Sequence, residues 1–257
     1  MINFDEKYIC AYLCNKSLIN DFNILLNFYN EVARVSLKTK DIHFMQIRLQ
    51  WFIDAVADLY KNKKSGFPLV DNLLDIIKKY DLEQNSLIKI IESRNIDKDY
   101  VPFKSIEEYI KYCQNTGGIF WRLIMQVYGG NKQEQEAAYL SGTAFALLGN
   151  IRNISFNNKR MHYNLVFNKN IVVKGGSLLD KEVQNNIKLL LLIVKDYISK
   201  AKAIKIRGKY KRLLLLNVFC EGYKHNIKKS LNNIKALDPY KFSFIYKIKF
   251  VLKYIFG

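Results

Sequence analysis

Two pairs of aspartates have the spacing of a metal-binding helix face. Asp54 and Asp58 form one Asp-x-x-x-Asp pair, and Asp71 and Asp75 form the other. Carboxylates four residues apart lie on one face of a helix, where opposed pairs could hold a divalent cation. Such pairs also occur on exposed helix faces without any chemical role, and several lysines follow Asp58. We therefore expect both pairs to be ordinary surface carboxylates.

The other residue types that ligate metals or bind phosphates lack the required spacing. His43, His162 and His225 share no ligand spacing, and the glycine pairs match neither a P-loop nor a dinucleotide-binding loop. Cys10 and Cys14 lie four residues apart on a predicted helix, where packing is favoured over metal binding. Since the four cysteines form no Cys-x-x-Cys pair, a reducing compartment is indicated.

Long helices must position these residues. The chain has 257 residues, 49% of them hydrophobic, but only 12 glycines and 3 prolines, few for the many turns of a β-sandwich or an α/β barrel. Apolar residues at helical spacing define two stripes. The first stripe is Phe22, Leu25, Leu26, Tyr29, Val32 and Ala33, and the second is Phe44, Ile47, Trp51, Val56 and Leu59. Further helices are predicted near 67–80, 84–95, 104–128, 133–153, 180–204, 208–235 and 239–255.

Capping residues mark several helix ends. Asp41 is a predicted N-cap, Ser105 and Glu108 form a predicted capping box, and Gly129-Gly130 ends a long helix. The stretch 156–177 lacks helical periodicity and is predicted to be a long loop. No linker divides the chain. We therefore predict one all-α domain over residues 1–257.

The positive charge is confined to one part of the chain. Residues 1–150 contain 18 Lys and Arg and 18 Asp and Glu, whereas residues 151–257 contain 23 and 5, which accounts for the whole net charge of +18. This asymmetry favours an anionic partner. Compositional drift in a chain rich in Lys, Asn and Ile is the alternative, but it does not explain a neutral first half.

Neither a secretory leader nor a membrane-spanning helix is predicted. Met1–Glu6 is polar, and the longest apolar runs, Leu189–Val194 and Leu213–Leu216, are far shorter than the roughly 18 residues that a span requires. A soluble or peripheral membrane protein is expected.

Several motifs, in their order, resemble the squalene/phytoene synthase family. Phe28–Val35 reads FYNEVARV and Arg48–Phe52 reads RLQWF; Tyr112–Gly118 and the stretch from Gly142 to Arg160 follow. The closest similarity is to a divergent branch that includes the mitochondrial assembly factor for respiratory complex I and its bacterial relatives. The resemblance is clearest over residues 20–165, and over the basic helices of 180–257 it rests on helical character alone. It implies a helical bundle of the isoprenoid synthase type.

The resemblance also implies where a catalytic site would lie. Active members join two prenyl diphosphates with two Asp-x-x-x-Asp motifs that hold Mg²⁺. The first motif falls here at Ala33 and Leu37, and the second at Asn153 and Asn157. Aliphatic side chains cannot bind a metal, and two amides do not replace two anions around a hard cation. The resemblance therefore favours the fold and argues against the family's reaction.

A candidate pocket follows from the same comparison. Its residues are Glu31, Arg34, Arg48, Gln50, Trp51, Arg152, Lys159 and Arg160. These residues could line a site for an anionic or prenyl-like ligand, but a structural role is favoured, with Trp51 in the core and Arg48 paired to Glu31. Gly117 and Gly118, with Gly142 opposite, are expected to allow a close helix crossing.

The C-terminal segment combines aromatic, aliphatic and lysine residues. Over 240–256 the lysines are Lys241, Lys247, Lys249 and Lys253, and no acidic residue follows Asp238. A lysine-rich amphipathic helix suits an anionic membrane surface, and the basic run 205–212 adds a second cluster. Packing on the bundle, with lysines at the rim, is an equal alternative. Nucleic acid is the least favoured partner, because no motif typical of a DNA- or RNA-binding module is present.

The sequence thus predicts a non-catalytic, membrane-associated binding or assembly-type protein, without a cofactor. Its expected partners are an anionic membrane surface, a protein client and a prenyl or lipid ligand. It is expected in the cytoplasm, peripherally bound to a membrane, or on the matrix side of a mitochondrial membrane. The alternative is a prenyl-diphosphate transferase that uses displaced acidic residues and Mg²⁺.

Overall fold

The computed structural model describes residues 6–39, 41–98, 103–152, 165, 167, 176–231, 238 and 244–256. Over these ranges the backbone is largely helical and contains no strand. The α-helices are α1 (Glu6–Cys14), α2 (Ile19–Lys38), α3 (Ile42–Tyr60), α4 (Pro68–Asp71), α5 (Leu73–Tyr80), α6 (Gln84–Glu92), α7 (Ile106–Cys113), α8 (Ile119–Val127), α9 (Lys132–Arg152), α10 (Gly176–Ala203), α11 (Leu216–Lys229) and α12 (Phe244–Phe256). The all-α prediction is confirmed.

The predicted caps are present at the helix ends. The Asp41 carboxylate accepts hydrogen bonds from the backbone N–H groups of His43 at 2.8 Å and Phe44 at 3.2 Å. Ser105 Oγ accepts one from Glu108 N at 3.3 Å. Gly129 ends α8 with a φ of +83°, the left-handed conformation that glycine adopts without a steric penalty.

The bundle is layered around α9, which contacts α8, α10 and α11. On one side, α8 contacts α2, and α2 packs against α3, which also contacts α6. On the other side, α12 packs on α11. This order places α3 and α12 in different layers of the molecule.

The first predicted apolar stripe is largely correct, and the second is wrong in its N-terminal half. On α2, Phe22, Leu25, Leu26 and Val32 are buried. On α3, the buried residues are Met45, Leu49, Phe52, Ala55, Val56 and Leu59. Phe44, Ile47 and Trp51 are exposed instead. The helix carries apolar residues on two faces, and spacing alone did not distinguish the face that meets the core.

Close contact between two helices is confirmed at the predicted glycines. A Cβ added to Gly117 would lie 2.6 Å from both Gly142 O and the Ala146 side chain, and one added to Gly142 would lie 2.7 Å from Trp121 Cβ. The chain forms a π-helical turn at Gln114–Gly118 that joins α7 to α8 without a break.

Several predicted helix boundaries need correction. The predicted helix 67–80 is two helices, α4 and α5, and the predicted helix 208–235 begins with a 3₁₀ segment, Gly208–Leu215, before α11. Most of the predicted loop 156–177 lies outside the described residues.

The two cysteines of α1 are packed, as predicted. Cys10 is buried, and the Cys14 thiol donates to Lys209 O at 3.2 Å. Burial raises the pKa of Cys14 to about 12.

Candidate functional site

Glu31 and Arg48 meet across α2 and α3, as the sequence predicted. Arg48 Nη2 lies 3.4 Å from Glu31 Oε1, and Lys38 Nζ lies 2.5 Å from the same oxygen. The hydrogen bond from Lys38, together with the charge of Arg48, lowers the pKa of Glu31 against the opposing effect of burial. The carboxylate is therefore held charged by two cations of this chain.

The positions predicted for the first metal motif lie on the same helix as Glu31. Ala33 is half-buried, and the Leu37 side chain is 70% exposed in the last turn of α2. Arg34 is exposed beside them. The described part of this surface thus presents aliphatic and basic groups.

The prediction that Trp51 lies in the core is wrong. Its side chain is 38% exposed and packs edge-on against Phe52 at 5.1 Å and Phe67 at 5.7 Å between ring centroids. Because Phe52 is fully buried and successive helix positions differ by about 100°, Trp51 must point toward the surface. Gln50 is also exposed and donates to Asp54 Oδ1 at 2.9 Å.

Arg152 lies apart from these residues, at the end of α9. Its guanidinium lies 3.4 Å from the Tyr223 ring centroid, and Nη2 lies 3.5 Å from Glu6 Oε1. These partners belong to α11 and α1. The other candidate residues, Lys159 and Arg160, and the second motif positions, Asn153 and Asn157, lie outside the described residues. The structure therefore brings Glu31 and Arg48 together and places Arg152 against other helices.

A buried arginine was missed by the sequence reasoning. Arg94 is 9% exposed, donates to Tyr112 Oη at 2.8 Å and lies 3.6 Å from Asp97. Tyr112 Oη in turn donates to Asp97 Oδ1 at 3.0 Å, and the guanidinium stacks on Tyr29 with 5.3 Å to the centroid. The three-residue spacing of Arg94 and Asp97 is the sequence feature that could have indicated this ion pair. This cluster joins α2 to α7, and Arg94 Nε is buried in it without a hydrogen-bond partner among the described residues.

Three of the four aspartates in the two pairs have structural partners, and that of Asp54 is Gln50. Asp58 lies 3.3 Å from Lys61. Asp71 accepts hydrogen bonds from Ser65 N at 2.7 Å and Gly66 N at 3.0 Å, which lower its pKa although burial opposes the shift. Within the described ranges, no three His, Cys, Asp or Glu side chains are grouped closely enough to hold a metal ion.

The C-terminal helix packs on the bundle and also has an exposed apolar face. The aromatic ring of Phe250 packs against Phe219 at 4.9 Å and that of Tyr246 against His225 at 5.7 Å, so α12 is docked on α11. The opposite side of α12 presents aliphatic side chains that are 44–60% exposed: Ile245, Ile248, Val251, Leu252 and Ile255. We call these five residues the outer face of α12. Lys247 borders this face on one side, and Lys249 and Lys253 border it on the other.

In the second basic cluster, residues 205–212, two arginines form contacts within the bundle. Arg207 binds Glu134 through Nε at 2.8 Å and through its backbone N–H at 3.0 Å. The Arg212 guanidinium stacks 5.1 Å from the Tyr254 ring centroid. The exposed residues Lys205, Lys209 and Lys211 retain a basic surface here. In the part of the chain that the structure describes, no helix is both long enough and apolar enough to span a bilayer.

Solved structures establish the class of fold. The chain superimposes on a squalene synthase from Alicyclobacillus acidocaldarius with a TM-score of 0.62, covering 87% of this chain and 99% of that one, at 12% identity. It superimposes on a dehydrosqualene synthase in complex with ligand with a TM-score of 0.72, covering 98% and 91%, again at 12% identity. The predicted bundle of the isoprenoid synthase type is confirmed.

The sequence places the chain more narrowly. The squalene/phytoene synthase family model matches residues 5–165, and the chain belongs to that family. It is 30% identical over 126 residues to NADH dehydrogenase (ubiquinone) complex I, assembly factor 6 from Mus musculus, a match that covers 48% of this chain and 37% of the mouse protein. It is 24% identical over 215 residues to the assembly factor 6 homolog from Dictyostelium discoideum, covering 79% of this chain and 60% of that protein. The matches thus span less than two thirds of either relative.

Proposed function

We propose that this protein is a non-catalytic, assembly-type member of the squalene/phytoene synthase family that acts on an anionic membrane surface. The names of its relatives as complex I assembly factors support the assembly-type role. The expected client is a protein of a respiratory complex. A prenyl or lipid ligand is a second expected partner, and nucleic acid is not expected.

The side chains at the first motif support the absence of catalysis. Ionisation of a prenyl diphosphate needs divalent cations to stabilise the leaving pyrophosphate, and such cations need several anionic oxygens. Ala33 and Leu37 supply none. The nearby Glu31 carboxylate is already engaged by Lys38 and Arg48. No Mg²⁺ cofactor is therefore expected.

The outer face of α12 is the observation that carries the membrane proposal. A helix docked on its own bundle needs one apolar face, yet α12 has a second one, directed away from α11 and bordered by lysines. Aliphatic side chains can enter the headgroup boundary while lysines contact anionic lipids. The protein would then bind peripherally, in the cytoplasm or on the matrix side of a mitochondrial membrane.

Liposome co-sedimentation tests this proposal. The protein should bind vesicles that contain anionic lipid and should bind neutral vesicles much less, because each lysine near the surface contributes about 1 kcal/mol. Binding should weaken as salt shortens the Debye length. The quadruple variant Lys241→Gln, Lys247→Gln, Lys249→Gln, Lys253→Gln should lower the partition coefficient by at least about tenfold. It should not change the melting temperature, since Lys247, Lys249 and Lys253 are exposed and exposed charges contribute little to stability; Lys241 lies outside the described residues.

A matched variant controls for net charge. Lys63, Lys64, Lys78 and Lys89 are exposed lysines of the neutral half, and their replacement by Gln makes the same charge change. This control variant should keep most of the binding. Equal binding to anionic and neutral vesicles, or equal loss in the two quadruple variants, would contradict the membrane proposal.

A further inference from the structure

We propose that the C-terminal end of α1 forms a second contact with the anionic membrane, beside the outer face of α12. Its residues are Tyr12, Lys16 and Lys209, which we call the α1 rim. Lys209 belongs to the 3₁₀ segment that packs on α1, whereas Tyr12 and Lys16 belong to the neutral half of the chain. This inference deepens the proposed membrane role and rests on it, because it names a second region of the bundle that meets the lipid headgroups.

Contacts at the end of α1 bring the three residues of the α1 rim together. The Cys14 thiol donates to Lys209 O at 3.2 Å, which places the 3₁₀ segment against the last residue of α1. Lys16 Nζ lies 5.7 Å from the centroid of the Tyr12 ring. Lys16 and Lys209 are exposed, and the Tyr12 side chain is 39% exposed. The α1 rim therefore presents two ammonium groups and an aromatic ring to one partner.

Arg212 connects the α1 rim to α12. Its Nη1 donates to Leu13 O at 3.2 Å, and its guanidinium lies 5.1 Å from the Tyr254 ring centroid. Leu13 belongs to α1 and Tyr254 to α12, so one arginine contacts both helices. The α1 rim thus lies next to α12, although the two helices are far apart in the sequence.

The carboxylates around the α1 rim are paired with other cations. Residues 197–220, which include the 3₁₀ segment, contain no acidic residue, and neither does α12. Helix α1 and the helices that pack on it or on the 3₁₀ segment carry six carboxylates, and each has a basic partner elsewhere in the bundle. The pairs are Glu6 with Arg152, Asp21 with Lys79, Glu31 with Arg48, Glu134 with Arg207, Glu136 with Arg122, and Glu221 with Lys202. An excess of positive charge therefore remains on this side of the molecule.

The chemistry beside the α1 rim favours a lipid surface over another polyanion. The outer face of α12 is aliphatic, and a nucleic acid bound to the rim lysines would leave it in water. A bilayer covers both regions, because lysines contact the anionic headgroups while tyrosine and aliphatic side chains enter the headgroup boundary. Contact at two places would also fix the rotation of the bundle about the axis of α12.

Liposome co-sedimentation tests the contribution of the two rim lysines. On vesicles of phosphatidylserine and phosphatidylcholine, Lys16→Gln with Lys209→Gln should lower the partition coefficient roughly five- to thirtyfold. The matched control, Lys78→Gln with Lys89→Gln, makes the same charge change at exposed positions of α5 and α6 and should lower it less than about twofold. Both variants should keep the melting temperature of the parent, since exposed charges contribute little to stability.

A fluorescent label measures contact at the α1 rim directly. Lys16→Cys carries a nitrobenzoxadiazole group in a Cys14→Ser background, in which serine still offers a hydrogen-bond donor to Lys209 O. Lys89→Cys in the same background is the matched site. The remaining cysteines are buried: Cys10, Cys113 and Cys220. On the phosphatidylserine vesicles the emission should shift to the blue for the label at position 16 and stay unchanged for the label at position 89.

The possible results separate the two proposals. A parent protein that does not prefer anionic vesicles would contradict the membrane role and this inference together. If the parent binds and depends on the lysines of α12, the inference alone is overturned when the Lys16/Lys209 variant binds like the Lys78/Lys89 control, or when the label at position 16 shows no shift. Weaker binding of the Lys16/Lys209 variant to heparin, with unchanged vesicle binding, would also overturn it and assign the α1 rim to a different polyanion.

Discussion

Individual side chains decide whether this family member can hold metal. At the positions that the family resemblance predicts for the two motifs, Ala33 and Leu37 lack donors, and Asn153 and Asn157 are neutral amides and not anions. Hard divalent cations bind weakly to sites whose ligands are all neutral. Glu31, the carboxylate of α2 nearest in sequence to Ala33 and Leu37, is neutralised by cations from this chain.

We expect Mg²⁺ and farnesyl diphosphate together to leave the melting temperature unchanged. A ligand at a hundred times its dissociation constant stabilises the native state by about 2.7 kcal/mol, which would raise the melting temperature by several degrees. Thermal shift assays with and without Mg²⁺ provide the measurement, with an active squalene synthase as the positive control. A Mg²⁺-dependent shift, or release of pyrophosphate, would instead support the transferase alternative. The variant in which Asp replaces Ala33, Leu37, Asn153 and Asn157 is measured beside the parent protein as an internal comparison.

Local chemistry made some residues predictable and others not. The Asp41 cap follows from a short-range rule about helix ends, and the Glu31–Arg48 pair was predicted from opposite charges on two consecutive helices. Both are present. Trp51 was assigned to the wrong environment, because α3 is apolar on two faces and only tertiary packing selects one of them. Arg94 was missed because burial of a lone arginine depends on Asp97 and Tyr112 being close in space.

At the scale of helices, the contact between α9 and the π-helical turn depends on the absence of side chains. Gly117 and Gly142 each occupy a position where a Cβ would collide with the opposite backbone or with Trp121. Backbone atoms cannot move aside as a flexible side chain can. The predicted close crossing followed from glycine content, whereas the breaks at α4 and at the 3₁₀ segment before α11 were not predicted because they depend on packing.

Gly142→Ala should destabilise the protein by about 1 to 3 kcal/mol, the usual cost of overpacking a tight core. Urea unfolding measures this change through the transition midpoint. Gly149, on the same helix, has no atom within 4 Å of an added Cβ, so Gly149→Ala should stabilise by about 0.5 to 1 kcal/mol through its higher helix propensity. Similar effects of the two substitutions would contradict the proposed packing role of Gly142.

At the scale of the molecule, the ion pair between Glu134 and Arg207 joins the neutral half of the chain to the basic half. Glu134 is 1% exposed and accepts hydrogen bonds from Asn131 N at 2.8 Å and from Arg207 Nε at 2.8 Å. The hydrogen bonds from Arg207 lower the pKa of Glu134 to about 2, against the effect of burial. The unfolded chain would release this proton near the ordinary pKa of 4.5.

Glu134→Gln should therefore destabilise the protein in a pH-dependent manner. Because the folded pKa is lowered, the stabilisation is fully present above pH 4.5 and is lost as the pH falls from about 4.5 to about 2. At pH 7 the variant should lose on the order of 1 to 3 kcal/mol, and the difference from the parent should shrink over this range in urea unfolding at several pH values. Glu136→Gln, which alters an exposed pair with Arg122, should change stability by less than about 0.5 kcal/mol. A constant difference across the pH range would contradict this account.

The π-helical turn at Gln114–Gly118 determines where this helix tolerates a change in chain length. An i→i+5 turn accommodates one residue more than an α-turn, so α7 and α8 keep their mutual orientation in spite of the extra residue. Deleting one residue within the turn would leave a uniform α-helix with both segments in phase. A deletion elsewhere between Ile106 and Val127 would rotate one segment by about 100° relative to the other. When relatives differ in length here by a single residue, the alignment gap belongs within residues 114–118.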